Sequence, residues 1–294
     1  MSELQFPVKN MPWRFLICRR LGRRKWFGVY RAMRIMLVLG LFNCVARFPL
    51  RNGAMMHVPL YREDSWWDEE DVWNYSRELI DVTQQLIHRM IGPVLLIDCG
   101  ADIGVVSVLL ASQEKNVREV IAFEPNPVAH AVLNLNLKAL KCQTRAEESG
   151  VGAVPGRGTL RSPSHDRSDH ARFVVPGQTG DFPIVRLDDL GVPTGRDVVI
   201  KIDVEGGEMD VIRGASALLH GARSFIIAFE AHPVQTERTG GDAVDIIKAI
   251  SEIRECRTVV AEAPQVSIAG NTPFFDQLGQ RRICNVICHA GLTI

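Results

Sequence analysis

The chain is short of several things, and each shortage removes a class of function. It has no CxxC pair and no clustered histidines, so nothing in the spacing suits a structural zinc. Its seven cysteines are dispersed over 294 residues, an odd set that reads as thiols in a reducing compartment and not as a disulfide framework. It has no net charge, Lys+Arg and Asp+Glu both standing at 34, which removes the whole-chain electrostatic case for nucleic-acid binding. It has no apolar run of the ~20 residues that a membrane-spanning helix needs, and no G-x-G-x-x-G cradle for a dinucleotide pyrophosphate. What remains is a globular composition, 46% hydrophobic and 23% charged, sized for one large domain with an appendage or two modest domains. The expected location is cytoplasmic.

The neutral total conceals an asymmetry. Residues 1–60 carry eleven Lys and Arg against Glu3 alone, whereas residues 63–81 carry eight Asp and Glu against Arg77 alone. Such blocks are ordinarily solvated faces, or helices docked on an opposite patch. A sharper reading starts from the apolar run Ile35–Ala46 behind the basic stretch. As an interfacial helix edged by arginine, it would place residues 13–47 in peripheral contact with an anionic membrane, at the inner membrane surface. Downstream, two extended segments flank Asn52-Gly53, a hairpin-turn dipeptide. Residues 65–90 read as helical, with Trp66, Trp67 and Trp73 as core or lid residues, until Gly92-Pro93. The division expected is an N-terminal extension over 1–91 and a catalytic domain over 92–294.

From residue 93 onward strand and helix alternate. Val94–Ile97, Val120–Phe123, Val198–Ile202 and Phe225–Phe229 are short continuous apolar runs, as in strands covered on both faces. Helices over Val105–Gln113, 128–140 and 209–219 separate them. Repeated β-α units imply a parallel sheet with helices on both sides, whose ligands lie beyond the carboxyl ends of the strands. Six polar residues fall just there: Asp98, Glu124, Asp203, Glu205, Glu230 and His232. Gly100 and Gly104 lie in the first turn, where backbone approaches a ligand closely. Glu124, ending the second strand, can accept both hydroxyls of a ribose. An adenosine ligand with a small charged tail, such as S-adenosylmethionine, fits this pattern better than one with two phosphates.

The segments LLIDCGADIG, IAFEPNP, RLDDL, IKIDVEGGEMDVIRGASALL and IIAFEAHP, in that order, resemble the FkbM family of S-adenosylmethionine-dependent methyltransferases over about residues 92–294. The resemblance implies a class I methyltransferase fold: a Rossmann-like, mostly parallel seven-stranded sheet with its last strand antiparallel, preceded by a helical and hairpin extension. It implies O-methylation of a hydroxyl on a saccharide or a glycosylated or secondary metabolite. By position, Asp98, Gly100, Ala101 and Gly104 would line the methionine part of the cofactor, with Asp203 in the same shell. Glu124 would hold the ribose and Asn126 would neighbour the adenine. The family often carries an acid near the end of the third strand, where Ala153 stands here.

Asp203, Glu205 and His232 are the expected catalytic residues, because an alcohol needs a base near its hydroxyl and histidine titrates near neutrality. Blander roles are open for their neighbours: Lys201 satisfying a buried carboxylate, Glu208 favouring a helix N-terminus, and His232 capping a loop. Asp203, Glu205 and Glu230 as a divalent-metal site is a further enzymatic alternative; no metal is assigned. Another class of function is a catalytically inactive cofactor-fold protein serving as a partner at a membrane-associated biosynthetic complex. Residues 155–183 read as extended ends flanking a loop over Ser162–His170, and Thr258–Ala261 and Ile283–Cys288 as the final strands.

Overall fold

A computed structural model describes residues 3–162, 172–234, 236 and 241–293. The loop reading for Ser162–His170 thus falls outside the described residues except at Ser162.

In chain order the strands are β1 (Val8–Asn10), β2 (Val45–Pro49), β3 (Met55–Pro59), β4 (Val94–Cys99), β5 (Val117–Phe123), β6 (Gln143–Glu147), β7 (Gly150–Val151), β8 (Gly156–Arg161), β9 (Phe173–Gly177), β10 (Phe182–Val185), β11 (Asp197–Ile202), β12 (Ser224–Ala231), β13 (Arg257–Val260) and β14 (Cys284–Ala290). Seven of them form one sheet in the order β13-β14-β12-β11-β4-β5-β6. All of its neighbours pair in parallel except β14, which is antiparallel to both β12 and β13. This is the expected mostly parallel seven-stranded sheet with its last strand reversed. Strand order changes direction between β4 and β11, which puts the switch point at Asp98–Gly104 and Asp203.

The apolar strands bury both faces because helices cover both. Leu95, Ile97 and Cys99 point into one core cluster, while Val94 and Leu96 point into the other, the period-2 alternation of a pleated strand. The second cluster also takes residues of α5 (Val105–Gln113) and α6 (Pro127–Lys138). It is shared with the N-terminal segment, whose Phe15, Met33, Phe42, Met56, Leu60 and Ile80 lie in the same continuous core. Fully buried Asn136 joins the two parts. Its Nδ2 donates to His57 O (2.9 Å) and Ile103 O (2.7 Å), and its Oδ1 accepts from His57 N at 2.7 Å.

In the N-terminal segment the helical pair α1 (Trp13–Arg23) and α2 (Val29–Val38) connects β1 to β2 of the three-stranded sheet β1-β2-β3. β2 and β3 pair antiparallel around Asn52-Gly53, Asn52 Oδ1 accepting from Ala54 N. The acidic stretch that follows is not one helix. It divides into a 3-10 turn at Glu63–Ser65, α3 (Glu69–Trp73) and α4 (Arg77–Ile87), because Asp68 closes a capping box on α3 and Ser76 takes a left-handed φ of 43° before α4. The apolar run Ile35–Ala46 divides as well: the helix ends at Val38 and β2 begins at Val45. A single interfacial helix over that run is therefore corrected, since the chain turns over residues 39–44 and enters β2 at Val45.

The opposed charge blocks dock on each other. Arg19 pairs with Asp71 at 2.6 Å, Arg23 with Asp68, Glu70 and Asp71, Arg34 with Glu63 and Arg51 with Glu69. Between the third and fourth β-α units, β7, β10, β8 and β9 make a small four-stranded sheet in that order, with β8 and β9 paired as the extended ends of the insertion. The expected helix over 209–219 is also two pieces, α7 (Glu208–Arg213) and α8 (Ser216–Gly221). At the break, a Cβ on Gly214 would lie 2.2 Å from Gly152 O, so only glycine lets the helix approach the loop after β7.

Replacing Asn136 by Ala leaves the buried His57 and Ile103 backbone groups unpaired and is expected to cost about 3 kcal/mol or more in urea unfolding. Removing the exposed Arg34–Glu63 pair is expected to cost under about 0.5 kcal/mol in the same measurement.

Candidate active site

The cavity of about 1020 Å³ beyond the strand ends is lined by residues of β4, β5, β11 and β12, the small sheet, and Trp67 and Tyr75 of the N-terminal segment. It lies at the upper end of the ~300–1000 Å³ typical of small-molecule sites.

Its floor is the turn after β4. Gly100 has φ +73°, and a Cβ there would stand 1.9 Å from Asp203 O. The β4 and β11 ends approach so closely that no side chain fits between them. Across this contact Lys201 Nζ donates to Gly100 O at 2.7 Å and lies 3.3 Å from both Asp98 Oδ1 and Asp203 Oδ2. Burial alone would lower the lysine's pKa, but the carboxylates of Asp98 and Asp203 outweigh it and hold the ammonium charged. Asp98 Oδ2 in turn accepts from Ser107 Oγ at 2.7 Å. The bland role expected for Lys201, satisfying a buried carboxylate, is what the structure shows.

At the end of β5, Glu124 is buried and receives two backbone amides, Asp102 N on Oε2 and Asn126 N on Oε1, both at 2.8 Å. Each carboxylate oxygen keeps a second acceptor position, the requirement for holding a pair of ribose hydroxyls. Burial first, and Asp102 second, push its pKa up to about 7. Asn126 caps α6, its Oδ1 accepting from Val128 N, and its side chain lies at the cavity wall. Ala101 lines the cavity from the same turn, whereas Gly104, at φ +82° as the residue preceding α5, is not among the lining residues.

Sequence reasoning missed the support for Glu124. Asp102 has φ +46°, a conformation that needs external restraint. Arg62, buried in the N-terminal segment, supplies it through Nη1 to Asp102 Oδ1 at 2.9 Å and also pairs with Asp64. Nothing in the sequence ties Arg62 to Asp102; only the docking of the two parts does. Tyr75, beside Trp67 at a ring-centroid distance of 5.3 Å, reaches the cavity from the same segment. Burial, then the charge of Asp203, raises its phenol pKa.

The strand that follows β5 in the large sheet is β6, which ends at Glu147. Ala153 follows β7, outside the large sheet, yet still lines the cavity. Ser149, which the sequence reading passed over, lines it too. Its buried Oγ has no hydrogen-bond partner among the described residues, so it can serve a base edge where Ala153 brings no polar atom.

At the β11 and β12 ends, Asp203, Glu205, Glu230 and His232 all face the cavity. Glu205 holds φ +58°, again a left-handed non-glycine residue at the site. Glu208 is buried at the start of α7 and accepts from Gly206 N at 2.9 Å, so it serves the turn. Burial, then Asp203 and Glu205, push Glu230 up to about 8. His232 Nδ1 accepts from Val234 N at 3.1 Å, which places the proton of the neutral ring on Nε2. Among the described residues no three His, Cys, Asp or Glu side chains are grouped to hold a metal ion, so Asp203, Glu205 and Glu230 do not form the chelating set considered above.

The sequence model of the methyltransferase FkbM domain matches residues 98–259, a span that holds the Gly100 turn, Glu124 and the β11 and β12 ends. The chain belongs to the FkbM methyltransferase family. Its cofactor is S-adenosylmethionine, and the doubly accepting Glu124 beside a glycine turn and an unpartnered Ser149 Oγ fits that group. No curated protein matches this FkbM-family chain. Among solved structures it is similar to the precorrin-6y C5,15-methyltransferase of Geobacter metallireducens, with 16% identity over 72% of this chain and 88% of that one and a TM-score of 0.35. It is also similar to the Pyrococcus abyssi tRNA (uracil-54, C5)-methyltransferase in complex with S-adenosyl-L-homocysteine, with 9% identity over 84% of this chain and 44% of that one and a TM-score of 0.41. No helix among the described residues is long and apolar enough to cross a membrane.

Glu124→Ala is expected to abolish measurable S-adenosylmethionine binding in calorimetric titration, and Arg62→Ala to weaken it about tenfold by releasing Asp102. The ionised carboxylate is the one that accepts twice. With a pKa of about 7 for Glu124, wild-type affinity should therefore be about tenfold higher near pH 8 than near pH 6. Stability should run the other way. The folded pKa of Glu124 lies above its ordinary 4.5, so its contribution is full below that value and is lost as pH rises through about 7.

Proposed function

We propose that this FkbM-family methyltransferase methylates a hydroxyl of a saccharide or of a glycosylated or secondary metabolite. The observation that carries the reading is the carboxylate cluster opposite Glu124, where Glu230 is pushed up to about 8 beside Asp203, Glu205 and His232. A carboxylate with a raised pKa suits proton removal from an alcohol, because its ionised form, the minor one at neutral pH, is a stronger base than an ordinary carboxylate. Several acceptors converging on one cavity wall also suit a ligand with several hydroxyls.

Bound S-adenosylmethionine supplies an electrophilic methyl group. Asp203, held by Lys201 at 3.3 Å, is fixed to orient the acceptor hydroxyl. Glu230 takes its proton, and Glu205, beside it, keeps Glu230 basic. His232 donates from Nε2 to a substrate oxygen, a catalytic role in orientation. Trp67 and Tyr75 close the side of the cavity toward the N-terminal segment and exclude water.

The test is methyl transfer from isotopically labelled cofactor to a panel of monosaccharides, glycosides and hydroxylated metabolites. Transfer to an oxygen is expected, whereas N- or C-methylated product would overturn the acceptor reading. Asp203→Asn is expected to lower kcat by about 10²–10³ while cofactor affinity changes only a few-fold. Equal loss of both would move Asp203 into the cofactor shell. Cofactor binding without transfer to any acceptor would favour the non-catalytic partner reading.

A further inference from the structure

The docking of the basic block on the acidic one leaves a remainder. Arg19, Arg23 and Arg34 are used inward, but Arg20, Arg24, Lys25 and Arg31 are exposed and make no ion pair among the described residues. The same surface carries apolar groups that no core takes up. Trp13, Trp26, Ile35 and Leu39 are each more than half exposed, Val38 is 86% exposed and Phe27, in the tip between the helices, is wholly exposed.

Helical periodicity sorts these residues. On α1, Phe15 faces the core, while Trp13, Ile17, Arg20 and Arg24 recur at intervals of three and four on the outer side. On α2, Val29 and Met33 face the core, while Arg31, Ile35 and Val38 line the outer side. Both helices rest on the one core through their inner residues, so both outer faces and the Arg24–Gly28 tip look away from the domain. No Asp or Glu lies between Glu3 and Glu63, so the outer surface interleaves aromatic, aliphatic and cationic groups without a single carboxylate.

We infer that the α1–α2 hairpin docks the protein on an anionic phospholipid bilayer. Cations at the edge of exposed Trp, Phe and aliphatic groups are the composition of an element that inserts its apolar side chains at headgroup depth and pairs its charges with lipid phosphates. The helices, of 11 and 10 residues, are too short to span. A nucleic acid would leave Ile35, Val38 and Leu39 in water, since phosphate contacts give aliphatic groups nothing to cover them. On its inner side the hairpin meets Glu63, Glu70 and Asp71 across the hollow that Trp67 shares with the strand-end cavity, so the outer face alone is left for the bilayer. The inference is independent of which acceptor the cavity takes.

The test is co-sedimentation of the full chain with vesicles of phosphatidylcholine alone and of phosphatidylcholine with phosphatidylglycerol. Binding to the anionic vesicles is expected, weakened by salt and largely absent on the neutral ones. The pair Trp26→Ser and Phe27→Ser should weaken it about tenfold or more. Changing Arg20, Arg24, Lys25 and Arg31 together to Gln should weaken it by about two orders of magnitude. Unchanged cofactor affinity in each variant verifies the fold. Wild-type protein left in the supernatant with anionic vesicles, or variants that sediment like it, would overturn the inference. So would light scattering showing that the Trp26 and Phe27 changes instead dissolve a dimer, or RNA binding in place of vesicle binding.

Discussion

The site hangs on one buried ammonium. Lys201 lies inside β11 at the switch in strand order, between Asp98 of β4 and Asp203 just beyond its own strand, and it bonds the Gly100 carbonyl as well. Two parallel strands with carboxylates at adjacent ends would repel across a gap so narrow that no Cβ fits at Gly100. The cation between them turns that repulsion into attraction in a medium of low dielectric. Asp98 can then be wholly buried, and Asp203 can face the cavity in a fixed orientation. A neutral residue at 201 would leave both carboxylates uncompensated, so the pin serves fold and site together.

The N-terminal segment is the second half of the site. Arg62 restrains Asp102, whose backbone amide reaches Glu124, and Trp67 and Tyr75 form a wall of the cavity. Asn136 fastens His57 to Ile103, two residues before the helix that follows the Gly100 turn. Left-handed non-glycine residues cluster here: Asp102 and Glu205 line the cavity, and Ser76 lies beside it. Each conformation costs of order 1–3 kcal/mol and persists only under surrounding restraint. For Asp102 that restraint comes from a residue 40 positions away.

What the sequence made legible follows from this geometry. Buried parallel strands announce themselves as continuous apolar runs, so β4, β5, β11 and β12 and the carboxylates at their ends could be read directly. β6, Gln143–Glu147, could not, because it is a half-exposed edge strand with polar residues at most positions. Helix breaks at Ser76 and at Gly214 were hidden for a different reason: one depends on a left-handed residue that is not glycine, the other on a contact with Gly152. The roles of Arg62, Tyr75 and Ser149 were hidden because each depends on what docks beside it. The charge asymmetry was legible, but its division into an inward paired set and an outward unpaired set required the structure.

The electrostatics of the cavity favour a cationic ligand over a neutral one. Asp203, Glu205, Glu230 and Glu124 line it against two cations, Arg172 and Lys201, the latter shared between Asp203 and the buried Asp98. Burial is the first reason that Glu124 and Glu230 hold their protons to about 7 and 8; Asp102 adds to it at Glu124, and Asp203 and Glu205 add to it at Glu230. Asp203, Glu205, Glu230 and Glu124 would meet in bound S-adenosylmethionine a sulfonium and an ammonium against one carboxylate, a net positive charge that would favour the ionised form of the carboxylates nearest it.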